Sequence, residues 1–193
     1  ERRRAAVRLP ALDVDSMRVL AESLLGDPGS AEAVGVPVRR ANGNPLFLEQ
    51  LAAEARELGD AWDSSTAPTT IRALLEARLD RCSPHVTNAL ELASVQGSRF
   101  RLDFLGALAT DDLDLDDVLR QADRAHLARE IEPNVGAFAH ALVRETAYNR
   151  LPKATRADLH AAIADLFPPD EEELAAIHLE KAAGLRAELG DPD

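Results

Sequence analysis

The chain has 193 residues, 46 % hydrophobic and 29 % charged, a composition that excludes disorder and predicts a folded chain of one large or two small domains. Its formal net charge of -12 repels phosphate backbones and anionic lipid surfaces, so any nucleic-acid role would need a local basic patch. No apolar run approaches the ~18 residues of a membrane helix, and the single cysteine, Cys82, permits no internal disulfide, so a reducing, cytoplasmic setting is expected.

Residues 1–9 are too charged for a secretory core and read as a strand or loop cut out of a longer protein. Met17, Leu20 and Leu24 are spaced for one face of a helix that starts at an Asp13 cap and ends at Gly26 and Pro28. A second helix begins near Ser30, and Pro37 inside it should kink or shorten it before Asn42-Gly43 closes it. Asn44 and Pro45 make a third start, because Asn caps free amides and Pro has the φ of the first helical position. Leu46, Phe47, Leu51 and Leu58 form its apolar stripe, with Gly59 as the C-cap. Residues 10–59 are thus predicted to form a three-helix unit.

Residues 60–68, rich in Asp, Ser, Thr, Ala and Pro, read as a linker with Trp62 as its anchor. Ile71, Leu74, Leu75, Arg78 and Leu79 then mark an amphipathic helix, and Ser83-Pro84 caps another whose face is Val86, Ala89, Leu90 and Ala93. After the break at Gly97, short helices are predicted over 101–108 and 115–125. Residues 127–132, a turn over 133–136 and residues 137–140 read as one β-hairpin. Helices followed by one hairpin predict a winged helix over residues 69–167. Two more helices, 156–167 and 171–189, flank Pro168-Pro169, and residues 168–193 are expected to be a helical tail that begins a repeat region.

The fold class expected is therefore mainly α: a three-helix lid, a winged-helix domain with one small β-hairpin, and the first helices of a helical repeat array. No GxxxxGK[ST] loop and no apolar strand ending in Asp is present, so the chain alone is expected not to hydrolyse ATP. No nucleophile is placed beside a base with a third orienting group. Asp112, Asp114 and Asp116 have the first spacings of a calcium loop, but Asp117 replaces its glycine and Asp123 its final glutamate, so acidic capping of the following helix is preferred. His85, His126, His160 and His178 have no mutual spacing that makes a metal site with Cys82.

Two runs carry a resemblance. Residues 42–51, Asn-Gly-Asn-Pro-Leu-Phe-Leu-Glu-Gln-Leu, and residues 137–148, Ala-Phe-Ala-His-Ala-Leu-Val-Arg-Glu-Thr-Ala-Tyr, resemble the lid and winged-helix part of STAND-type signal-transduction ATPases, the class of large LuxR-type regulators, cyclase-linked ATPases and the related NB-ARC proteins. Further loose matches fall in the same order over residues 9–167: Leu9-Pro10-Ala11-Leu12, the helix ending Ala77-Arg78-Leu79, Val95-Gln96-Gly97 with Phe100, and Arg156 with His160.

The resemblance implies that Gly43, Asn44 and Pro45 belong to the lid motif whose proline packs on adenine. By residue type alone Pro45 is a helix-start proline, and the two readings are compatible. The resemblance also implies that His140 touches the β-phosphate of bound ADP and locks the closed state; an imidazole donates a hydrogen bond when neutral and adds charge when protonated. A lone histidine beside an apolar hairpin is also read as a packed or capped residue, and Ala141 departs from the family's Met-His-Asp pattern. Arg144 and Glu145 would orient the next helix, with Tyr148 and Leu151 on its inner face.

A nucleotide-dependent switch is what the resemblance implies: ATP or ADP with Mg in a longer parent, none held tightly by this chain alone, an upstream ATPase core ending in residues 1–9, downstream repeats, and a homo-oligomer on activation. Neither direct nucleic-acid contact nor membrane association is expected. One rival is a DNA-binding winged helix reading through residues 115–125, where Asp116, Asp117 and Asp123 oppose Arg120 and Arg124. The other is a helical protein-interaction module.

Overall fold

A computed structural model describes residues 10–26, 31–59, 62, 67–109 and 113–190, with the side chains of 31–33 excepted. The expectations for residues 1–9, Pro28, Ser30, Asp111, Asp112 and the linker residues 60, 61 and 63–66 lie outside this set. Among the described residues the fold is mainly helical with a small three-stranded antiparallel sheet. The chain divides into two compact units, residues 1–74 and 75–193, with the boundary inside one helix.

The first unit holds α1 (Val14–Leu25), α2 (Ala31–Ala41), α3 (Pro45–Leu58) and the start of α4 (Ile71–Arg81). Asp13 caps α1 by accepting the Ser16 N–H at 2.8 Å, and Gly26 closes it at φ 73°. Of the two effects expected of Pro37, a kink or a shortening, shortening does not occur: α2 runs on to Ala41, where Asn42-Gly43 closes it as expected. Pro37 is buried beside Val34 and Val38, and burial of that face offsets the one ladder bond a proline forgoes. Met17, Ala21, Phe47, Leu48, Leu51 and Leu74 form the core, and partly buried Trp62 packs against it as an anchor. The α3 stripe differs from the expectation: Leu48 and Ala52 are buried, whereas Leu46 is half-buried and Leu58 exposed.

In the second unit α5 (Pro84–Gln96) is central, touching α6 (Leu102–Leu108), α7 (Leu115–Arg124), α8 (Ala141–Arg150), α9 (Lys153–Leu166) and strand β1 (Arg99–Arg101). It buries Leu92, Ser94 and Val95 besides the predicted face, as a helix covered on several sides must. Ser83 precedes α5 but makes no side-chain cap; its hydroxyl donates to Gln121 instead, at 3.3 Å.

The expected single hairpin is joined by a third strand. β1 pairs with β3 (Val135–Phe138), which pairs with β2 (Ala128–Glu132), in the order β1-β3-β2. Arg101, predicted to open a helix, is extended because the Gln96 side chain acts as a strand partner: its Oε1 accepts the Arg101 N–H at 2.8 Å and its Nε2 donates to the Arg101 carbonyl. The turn is also tighter than expected, Pro133-Asn134 alone, with Val135 and Gly136 in the strand. Asn134 takes φ 64°, and its carbonyl and Oδ1 accept the N–H groups of Leu102 and Asp103, fastening the turn to the start of α6.

After α9 a single 3-10 turn (Pro169–Glu171) leads into α10 (Glu172–Leu189), which packs on α9. The expected helix starts, 156 and 171, fall within a few residues of those observed. No helix among the described residues is long and apolar enough to cross a membrane.

Candidate functional site

Gly43, Asn44 and Pro45 lie in the first unit and His140 in the second. Gly43 has φ 77°, a conformation that side chains resist, and its carbonyl accepts the Leu12 N–H at 3.0 Å. A Cβ there would meet Ala11 Cβ and the Leu12 carbonyl oxygen, each at 2.7 Å. The glycine is thus required by the close crossing of the segment before α1. Asn44 caps α3, its Oδ1 accepting the Phe47 N–H at 3.2 Å, and Pro45 is the first helical residue. The pyrrolidine is exposed, a rigid apolar surface open to solvent.

His140 is exposed and caps α8 just after β3. Its Nδ1 accepts the Leu142 N–H at 3.1 Å. An accepting Nδ1 must carry a lone pair, so the neutral ring bears its proton on Nε2. Nε2–H then remains as a donor with no partner among the described residues. Position 141 supplies only alanine, so no carboxylate follows. Of the residues expected to support α8, Arg144 donates from Nε to the Ser94 carbonyl at 2.8 Å, Tyr148 is half-buried and Leu151 buried.

A shallow groove of about 250 Å³ runs along β2 and β3 to Ala139, one residue before His140. Asp123, His126 and Arg129 give it polar groups, and Ile131 and Phe138 an apolar side. His126 takes φ 53° because it terminates α7: its N–H donates to the Asp123 carbonyl and that of Leu127 to the Ala122 carbonyl, the paired bonds of a left-handed helix end. At the other end of α7, Asp114 accepts the Asp117 N–H at 2.9 Å, the acidic cap expected there. Arg120, on the helix considered for DNA, pairs with Asp117 at 2.8 Å.

Sequence spacing gives no warning of one cluster. His160 on α9 and His178 on α10 are buried with their Nδ1 atoms 2.9 Å apart, and Tyr148 Oη lies 3.1 Å from His160 Nε2. Burial, then the charges of His178, Lys181 and Arg144, lower the His160 pKa to about 4; burial, then Lys181, lowers that of His178 to about 4. Eighteen residues and two helix ends separate the rings in sequence, so only the α9–α10 packing joins them. Among the described residues no three His, Cys, Asp or Glu side chains gather as a metal site. Comparisons with known proteins return nothing: no family model, curated protein or solved structure matches the chain.

Proposed function

We propose that the chain is the lid and winged-helix segment of a STAND-type ATPase, the part of a nucleotide switch that senses ADP. In this reading Pro45 covers the adenine and His140 donates to the β-phosphate, both against an ATP-binding core encoded upstream. The observation that carries the proposal is the Leu142 N–H bond to His140 Nδ1, which reserves an exposed Nε2–H for an anionic oxygen. The order of elements supports it: helix, strand, two helices and a two-stranded wing, in the sheet order β1-β3-β2, is the succession of a winged helix. The pairing of Arg120 with Asp117 leaves α7 little attraction for DNA phosphates, which favours the switch over a DNA reader.

The test is ADP affinity by calorimetry in a polypeptide joining the upstream core to this chain. His140→Asn is the informative variant, because asparagine caps α8 as histidine does but cannot place a ring N–H at the same position. Weaker ADP binding in His140→Asn and in Pro45→Ala, with folding intact, is the expected result. Affinity unchanged in both variants rejects the reading.

A further inference from the structure

We propose that Tyr148, His160 and His178 form an acid-sensitive clasp holding α10 on α9, closed while one of the two facing Nδ1 atoms carries a proton and the other a lone pair, and opened when both carry protons. This goes beyond the nucleotide reading and does not depend on it.

Besides the histidine, α10 meets α9 through Ala182, which is buried, and Ala175, Leu185 and Arg186, which are half-buried. Of its 18 residues only His178 and Ala182 are buried, while Leu174, Ile177, Leu179 and Leu189 are 47 %, 47 %, 52 % and 49 % exposed. The apolar driving force of a helix lies in its buried face, and the largest buried side chain on this one is an imidazole. His160 is 0 % and His178 6 % exposed, so each ring must find its polar partners inside the protein.

A 2.9 Å Nδ1–Nδ1 separation needs one N–H and one lone pair. If His160 donates from Nδ1, its Nε2 accepts the Tyr148 hydroxyl; if His178 donates, His160 Nε2–H donates to Tyr148 Oη. Either tautomer completes the chain from α8 through α9 to α10. One extra proton is also accommodated, with His160 donating from both nitrogens. A second sets two N–H groups head to head and abolishes the bond.

The surroundings favour the neutral pair. The charged groups that bear on the rings are cationic, Lys181 on α10 and Arg144 on α8, and Arg156 on α9 lies over the Tyr148 ring. Phe167, whose ring centroid is 5.7 Å from that of His178, adds an apolar neighbour. The other charges joining α10 to the unit are exposed ion pairs, Lys153 with Glu188 and Arg186 with Asp158, and Arg101 with Glu171 in the preceding turn. The bond from Lys153 holds the Glu188 carboxyl below the usual carboxylate range. With folded pKa values near 4 against 6.5 when free, the rings contribute full stability above pH 6.5, lost as pH falls toward 4.

Amide hydrogen exchange of the full chain, corrected for intrinsic rates between pH 7 and 4.5, tests the clasp, with α5 as the internal reference. Protection of α10 is expected to fall at least about tenfold more than that of α5. In His178→Asn, whose amide can still bond His160 Nδ1 but does not titrate, α10 should stay protected at pH 7 and the fall should shrink. An α10 that is insensitive to pH, one that opens only in parallel with α5, or one that behaves identically in the variant overturns the proposal. Nitrogen NMR of the imidazoles needs no variant: two rings titrating near the free-histidine value overturn it as well.

Discussion

Leu12 donates its backbone N–H to the carbonyl of Gly43 at 3.0 Å, so the segment entering α1 crosses directly over the turn between α2 and α3. That contact gives Gly43 a structural role before any ligand is considered. Gly43→Ala would place a methyl 2.7 Å from Ala11 Cβ and the Leu12 oxygen, at a positive φ. The expected loss is about 1–3 kcal/mol. Trp62, the chain's one tryptophan, packs on this core, so its fluorescence during urea unfolding reads the effect directly.

Gly136 answers Phe100 in the same way within the sheet. The two residues are register partners, and a Cβ at Gly136 would lie 2.3 Å from the Phe100 ring, which is buried and in contact with Phe138. Gly136→Ala is expected to destabilise the second unit by about 1–3 kcal/mol, because a buried ring packed on Phe138 must shift to admit the methyl. Circular dichroism across a urea titration measures it. A cost near zero would mean that the ring repacks without penalty.

His126 holds the left-handed position at the end of α7 that glycine usually fills. Replacing it with glycine should raise stability by about 1 kcal/mol, since the helix end keeps both closing bonds and loses the strain of a Cβ at positive φ. The midpoint of thermal unfolding is the measurement. A decrease would point to contacts of the imidazole itself in the groove along β2.

Stability should fall with acid in two separate windows. The His160–His178 pair accounts for the first, between pH 6.5 and about 4. Asp103 contributes to the second: its bond from Arg101, then those from Asn134 and Phe104, lower its pKa from 3.8 to about 2, so its contribution is present above 3.8 and lost as pH falls through 2. Asp103→Asn should shrink the lower window, to which the lowered carboxyls of Asp13, Asp117 and Glu188 also contribute, and leave the upper one, in unfolding followed as a function of pH. Loss of both windows together would mean that the two sites are coupled.

The helices are legible in the sequence because their signals are local. Asp13, Asn44 and Asp114 each cap within three residues, and Gly26 and Gly59 close their helices on the spot. The strand β1 is not legible, because Arg101 is extended by a side chain five residues back and by pairing with Val135. Pro37 does not shorten α2 for a related reason: a local penalty is outweighed by the burial of that helix face. His140 stands out through its flanking residues, but its role as the cap of α8, and hence its tautomer, requires the geometry of Leu142.

By itself the sequence determined a mainly helical chain, most helix starts and stops, and a turn within residues 133–136, since each depends on backbone chemistry within one turn of chain. The tertiary structure alone decided which strand completes the sheet, why Gly43 and Gly136 must be glycine, and that Tyr148, His160 and His178 meet. Those outcomes depend on which surfaces come within a few ångströms of one another, and packing across many residues of separation leaves no periodic trace in the sequence.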